Sequence, residues 1–412
     1  MLFYHYKRKS NSRNKKNHYS KLIMFSQESI IGVVGSGAMG SGIAQVSATN
    51  NYKTIVFDTN ADSLIKAKKN LSASLAKLVE KQKISELKAE TIFNNITFSN
   101  TIFDLKDCSL IIEAIIENLT VKQSVFKELE NLVSKDCILA SNTSSLSITS
   151  IGAACNLPER VLGIHFFNPA TLMPLVEIIP GIATDKKLAE ACQALISSWG
   201  KIPVMAKDTP GFIVNRVARP FYSEALRIYE EQIADIATID WAMKEFGGFK
   251  MGPFELMDLI GHDVNYVVTE TVWTQFYFDP RFKPSLSQKR LLEAKFLGKK
   301  TGKGFYDYSE GAEPLLPKKD EVLGRYIFNR IICMLINEAC DTANLGIASV
   351  NDIDLAMTKG VNYPKGLLMW ADEIGLSNVK NTLQDLYNLY EEDRYRTCPL
   401  IKKMVNEAKT FY

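Results

Sequence analysis

The chain has 412 residues, 46% apolar and 23% charged, an average globular composition with room for two or three domains at roughly 150 residues each. No apolar run approaches the ~18 residues of a membrane span; the longest, such as LIIEAII at 110–116, have the length of buried strands. The net charge of +3 comes from residues 1–23, which hold Lys7, Arg8, Lys9, Arg13, Lys15, Lys16 and Lys21 and no acid, leaving 42 basic against 46 acidic residues in the remainder; a mildly acidic body argues against a nucleic-acid surface.

The basic, Asn-rich extension over 1–29 precedes the first strand. It reads as an in-frame extension upstream of a start at Met24, with a transit peptide and a nucleic-acid arm as the other readings. From Ile30 onward, short apolar runs alternate with helical stretches. IIGVV (30–34), TIVFD (54–58), SLIIEA (109–114), CILAS (137–141), VLGIHFF (161–167) and LVEII (175–179) predict buried strands. Residues 38–49, 60–82 and 119–134 carry apolar residues at helical spacing between them. This alternation predicts an α/β fold with a parallel, doubly wound sheet over 30–207.

At Asp208-Thr209-Pro210-Gly211 the pattern turns helical, beginning with a helix that Pro220 should kink or that packing should absorb. A Gly-, Pro- and charge-rich stretch over 309–322 reads as a linker between helical domains at 208–308 and 323–412. These two are repeats. Asn215-Arg216 matches Asn329-Arg330, Glu224-Ala225 matches Glu338-Ala339, and Gly252, Asp258 and Gly261 match Gly366, Asp372 and Gly375, always at an offset of 114. A register held over so many positions is a duplication. The second copy is expected to be truncated, ending at Tyr412 before any counterpart of KKTGKGFYDY, and to pack on the first as a pseudo-twofold partner.

Gly35-Ser36-Gly37-Ala38-Met39-Gly40 is a G-x-G-x-x-G turn between a predicted strand and a predicted helix. Such a turn brings backbone N–H groups and a helix N-terminus to a dinucleotide pyrophosphate. Asp58 ends the next strand, where a carboxylate meets a ribose diol and disfavours a 2′-phosphate, so NAD is the expected cofactor. Two of the four histidines, His5 and His18, lie in the extension. His262 has Leu376 as its repeat counterpart and reads as structural, which leaves His165 as the candidate base. Glu177, interrupting an apolar strand, needs a buried partner, and spacing alone does not show that it touches His165. Asn142-Thr143-Ser144-Ser145, Glu113 and Glu117-Asn118 follow other strands, with helix capping as the alternative role for Ser144. The seven cysteines are scattered, form no C-x-x-C pair and give no metal pattern, which suits a reducing, cytoplasmic setting.

VVGSGAMGSGIAQ, IIEAIIENLTVKQSVF, ASNTSSLSIT, GIHFFNPATLMPLVEII, KDTPGFIVNR, MGPFELMDLIG and KKTGKGFYDY together resemble the L-3-hydroxyacyl-CoA dehydrogenases, above all the bacterial 3-hydroxybutyryl-CoA dehydrogenases. The resemblance implies a Rossmann-like domain followed by helical domains of the 6-phosphogluconate-dehydrogenase C-terminal type. It implies His165 and Glu177 as the catalytic pair, Ser144 at substrate and cofactor, and Asn215 near the substrate carbonyl. It also implies nucleotide contacts at Asp58, Glu117, Lys122, Ser144, Asn168 and Lys300, and CoA contacts at Ser74 and Lys81. The expected activity is NAD-dependent oxidation of an L-3-hydroxyacyl-CoA, 3-hydroxybutyryl-CoA above all, in fatty-acid or butanoate metabolism. A dehydrogenase of a free hydroxy or sugar acid is the alternative, and a structural protein keeping the fold is a further one. The expected partners are a CoA thioester, no nucleic acid and no membrane, in a monomer with an internal pseudo-dimer or a homodimer.

Overall fold

The computed structural model describes residues 25–412, so the basic extension up to Met24 lies outside the described residues. The first half runs β1 (Ile30–Val34), α1 (Ala38–Thr49), β2 (Lys53–Phe57), α2 (Ala61–Glu80), α3 (Glu86–Asn94), β3 (Ile96–Ser99), β4 (Leu110–Glu113) and α4 (Leu119–Leu132). It continues through β5 (Ile138–Ser141), α5 (Ile148–Gly152), β6 (Val161–Phe166), β7 (Leu175–Pro180), α6 (Lys186–Ser198) and β8 (Ile202–Met205). The strands form one sheet in the order β3-β2-β1-β4-β5-β6-β7-β8.

The sheet is mixed, which corrects the expectation of parallel strands throughout: β7 runs antiparallel to β6, and β8 pairs parallel with β7. Residues 167–174 connect β6 to β7, fewer than the dozen or so a parallel crossover requires, so the chain returns alongside itself. Alternation along β4 sends Leu110 and Ile112 into the core on one face and Ile111 into the core on the other. Burial on both faces explains why the central strands read as unbroken apolar runs. The core containing Ile111 runs on through Phe212, Ile239, Ile331 and Met357, so one face of the sheet and the helical half share it.

The helical half begins with α7 (Val214–Val217) and α8 (Arg219–Glu230). Pro220 falls in the first turn of α8, where no hydrogen bond is lost. Then come α9 (Ile236–Gly247), α10 (Pro253–Ile260), α11 (His262–Gln275) and α12 (Leu286–Glu293). Residues 309–320 contain no helix or strand. The chain ends with α13 (Glu321–Asn344), α14 (Val350–Gly360), α15 (Leu367–Ile374), α16 (Leu376–Tyr390) and α17 (Pro399–Asn406). Shifting α10 by 114 residues gives the bounds of α15. Asp240 accepts from the Phe254 and Glu255 amides at the start of α10, and Asp354 accepts from Leu368 and Met369 at the start of α15.

The two copies pack together through α13 against α8 and α9. Their ion pairs are reciprocal: Arg216 Nε donates to Glu338 at 2.6 Å, and its counterpart Arg330 donates to Glu224 at 2.6 Å. One expectation is corrected here. The second copy does keep a counterpart of the Phe-Tyr closing segment. Asp258 accepts from the Phe305 and Tyr306 amides, and Tyr306 donates to Asp240. Asp372 accepts in the same way from Phe411 and Tyr412, and Tyr412 donates to Asp354. The offset has fallen from 114 to 106, so the sister copy lacks the loop around Gly298–Gly304 while keeping its anchor.

Candidate active site

The G-x-G-x-x-G turn lies between β1 and α1. Gly35 takes φ of +103°, and a Cβ there would stand 2.7 Å from the Ala114 carbonyl; at Gly40 it would meet the Gly35 carbonyl. At Gly37 a Cβ would meet nothing within 4 Å, so the middle of the turn is open for a pyrophosphate. Ala38 opens α1 in the open, and Met39 packs back against the core. Asp58 follows β2 and accepts from the Ser36 amide at 2.8 Å and the Ser36 hydroxyl at 2.7 Å. Burial alone would raise its carboxyl, but hydrogen bonds from Asn60 and Ser36 outweigh this and hold it below its ordinary range. The open turn and the fixed acid suit a dinucleotide with a free ribose diol.

A chain of carboxylates lines the ends of β4 and β5. Glu113 is fully buried, accepting from Lys122 Nζ at 2.6 Å and from the Ser141 hydroxyl at 2.7 Å. Lys122 also pairs with Glu117 at 3.3 Å. Glu117 in turn accepts from Thr143, Ser145 and the Ser144 amide. Burial pushes its carboxyl up, and Lys122 and these hydrogen bonds more than reverse the shift. Lys122, at 1% exposure, therefore acts by fixing Glu117 and the Ser144 loop.

His165 and Glu177 stand directly opposite each other in the β6–β7 ladder. His165 Nδ1 and Glu177 Oε2 are 2.7 Å apart. With the carboxylate accepting Nδ1–H, the neutral ring carries its lone pair on Nε2. The other carboxylate oxygen, Oε1, accepts from the Ile213 and Val214 amides at 3.0 Å each. Glu177 thus also clamps the helical half to the sheet. The imidazole is wedged between Phe167 and Phe212, at 4.5 and 6.0 Å between ring centroids. Asn215 donates to the Ser144 carbonyl at 3.4 Å, and Asn142 holds the end of β6 through the Phe166 amide. Asn142 went unassigned because an Asn beside a strand end reads equally well as a turn residue.

Two cavities flank these groups. One of about 530 Å³ is walled by Gly37, Ser63, Lys66, Asn70, Ser74 and Pro169. Ser74 lies on its wall, whereas Lys81 is the exposed residue that ends α2 and lies off it. Lys66 supplies the cation on the wall, two turns before Ser74 on the same face of α2. Exposed Asn168 leads into the Pro169 turn beside this cavity. The other cavity, about 390 Å³, is walled by Leu119, Ser145, Leu146, Pro210, Phe212 and Gln275. Lys300 stands apart from both and pairs with Asp263 at the start of α11. His262 is buried and bonds to Asp258 at 2.9 Å.

The NAD-binding domain model of the 3-hydroxyacyl-CoA dehydrogenases matches residues 30–209, and the model of their C-terminal domain matches 211–308 and again 326–410. A 3-hydroxyadipyl-CoA dehydrogenase of Escherichia coli is 36% identical across 90% of this chain and 96% of its own. Human mitochondrial hydroxyacyl-coenzyme A dehydrogenase is 42% identical across 67% of this chain and 90% of its own. The crystal structure of a 3-hydroxybutyryl-CoA dehydrogenase from Escherichia coli superposes with a TM-score of 0.88 at 34% identity, covering 92% of this chain and 98% of that one.

Proposed function

The chain belongs to the 3-hydroxyacyl-CoA dehydrogenase family, and from that premise we propose that His165 is the base with which it oxidises an L-3-hydroxyacyl-CoA to the 3-ketoacyl-CoA. The activity is NAD-dependent. The backbone amides of the Gly35–Gly40 turn and the Asp58 carboxylate would hold the dinucleotide, which would supply the acceptor for the C3 hydride.

The pair of His165 with Glu177 carries this reading. Nε2 takes the hydroxyl proton, the oxygen's electron pair closes C3=O, and the C3–H bond breaks with its electrons leaving as hydride. Ionised Glu177 stabilises the imidazolium that results, and its two backbone donors keep it from turning away. Ser144 and Asn215 orient the C3 oxygen and the thioester carbonyl. The cavity beside α2 suits the CoA moiety, with Lys66 and Ser74 as polar contacts. The relatives' names differ at the acyl end: one substrate ends in a carboxylate and the other in a methyl group.

We assign the second copy the place that a partner subunit's helical domain would take, making the protein a monomer; sedimentation as a single chain supports this, and a homodimer contradicts it. Seven unpaired cysteines, six of them buried, suit a reducing compartment such as the cytoplasm. Among the described residues no helix is long and apolar enough to cross a membrane. The activity is tested by following NADH absorbance with acetoacetyl-CoA and with free acetoacetate. Turnover of the thioester alone is expected; equal turnover of both would favour the free-acid reading.

A further inference from the structure

Arg219, the first residue of α8, is 5% exposed. Its Nη1 donates to Thr269 Oγ1 at 3.0 Å and to the Asn265 carbonyl at 3.5 Å, and its guanidinium lies over the Tyr222 ring at 4.9 Å. Among the described residues its buried Nε has no hydrogen-bond partner, nor has the hydroxyl of Tyr363 from the second copy, and no carboxylate of the described residues pairs with Arg219 within 4 Å. The other buried cations among the described residues, Lys122, Arg160, Arg216, Arg330 and Arg394, each have one. A buried charge without a counter-ion is costly and is retained where something else supplies the charge.

The duplication provides an internal control. At the offset of 114, Arg219 corresponds to Cys333, Tyr222 to Ile336, Asn265 to Val379, Thr269 to Leu383 and Tyr363 to Phe249. All five counterparts are buried and apolar. The same helix packing is therefore built without a cation, a hydroxyl or an amide at these positions. The polar set exists only around the copy that carries Asn215 into the active site.

Its position fits the end of an acyl chain. Arg219 follows Asn215 by four residues, across the turn at Ala218 that divides α7 from α8. Along α11, Asn265 and Thr269 meet Arg219 while Gln275 donates to the Ser145 carbonyl at 3.1 Å. Six residues of helix separate the Thr269 end from the serine loop, a distance of about 9 Å. Three carbon–carbon bonds beyond C3 cover roughly 4 Å, and the hydrogen bonds of the C3 hydroxyl and of the terminal carboxylate add about 2.8 Å each.

We propose that Arg219 receives a carboxylate at the far end of the acyl chain, making this site selective for six-carbon 3-hydroxyacyl-CoA thioesters with a terminal carboxylate. The inference rests on the dehydrogenase reading above. A guanidinium fork matches a carboxylate in two parallel hydrogen bonds, and the Tyr363 hydroxyl is a second donor beside it. The second helical copy then has a part in substrate choice as well as in packing.

The test compares kcat/KM for L-3-hydroxyadipyl-CoA, L-3-hydroxyhexanoyl-CoA and L-3-hydroxybutyryl-CoA. The first two are of equal length and differ in the charged end. The unmodified protein is expected to prefer the dicarboxylate derivative over the hexanoyl one by about 10² or more, since a site with buried polar groups rejects an analogue that leaves them unpaired. Arg219→Met should abolish that preference while leaving butyryl-CoA turnover in place. Arg219→Lys and Tyr363→Phe should each reduce it in part, and they carry the test if Arg219→Met does not fold. Equal kcat/KM for the first two substrates in the unmodified protein overturns the proposal. So does an equal loss on all three in the variants, the signature of a structural role. Butyryl-CoA turnover separates these outcomes from a failure of the dehydrogenase reading, in which no thioester reacts.

Discussion

The two helical copies share a framework and differ in what they bring to the sheet. Both cap the helix starting at Pro253 or Leu367 with a buried aspartate, both anchor a Phe-Tyr segment on that aspartate and the next, and each offers the other the same Arg–Glu pair. The first copy alone adds Asn215 beside Ser144, Arg219 with Tyr222, Asn265 and Thr269, and the Gly298–Gly304 loop. Its helix breaks between Val217 and Arg219, where the second copy runs unbroken from Glu321 to Asn344. Pro220 corresponds to Met334, and the turn at Gly211 corresponds to Arg325. Packing residues are thus held in common, and the chemistry-bearing ones lie in the copy at the active site, with Tyr363 as the second copy's addition.

The largest expected effect breaks the shared framework. Arg330→Met would leave Glu224 without its nearest cation in the interior, and removing one partner of a buried pair costs about 3–5 kcal/mol. Denaturant unfolding should show that loss, and Arg330→Met combined with Glu224→Met should recover much of it. Recovery failing would mean that the hydroxyls of Tyr390 and Tyr395 on Arg330 carry the stability instead.

The next effect sharpens the functional difference. Asn215→Ala should lower kcat by about 10²–10³, the cost of losing one donor to a reacting carbonyl. Asn329→Ala, at the exposed corresponding position of the second copy, should leave kcat unchanged. Equal losses would place both copies in catalysis. The smallest effect concerns the terminal anchor. Tyr412→Phe and Tyr306→Phe each remove one hydrogen bond to an equivalent aspartate, and each should cost about 0.5–1.5 kcal/mol in thermal unfolding. No effect at Tyr412 alone would show that the shortened segment does not anchor as its counterpart does.

Much of this was legible in the sequence where one residue type serves one purpose. The glycine turn and Asp58 declared themselves through spacing, because a backbone approach and a ribose contact fix their separation. His165 and Glu177 were each nameable, but their contact depends on the antiparallel register of β6 and β7, which the apolar pattern of two buried strands does not encode. The missed strands, β3 and β8, are the two edges of the sheet. Half-exposed ITFS and IPVM lack the apolar run that marked the others. Lys66 was hidden among the lysines of α2, since helical periodicity does not say which charged face borders a cavity. The Phe411-Tyr412 anchor was missed because the fixed offset ends where the loop is lost. Arg219 was available in principle, since aligning the copies sets it against Cys333, but only the structure shows it buried without a counter-ion.

The central claim is that the cross-strand pair of His165 and Glu177 performs the proton transfer. Its most direct test is kcat of His165→Gln alongside the affinity for NADH measured by fluorescence. General acid–base catalysis predicts a fall of about 10²–10⁴ in kcat with NADH affinity preserved, because the glycine turn and Asp58 are untouched. A near-normal kcat with intact cofactor binding would contradict the assignment and place the base elsewhere.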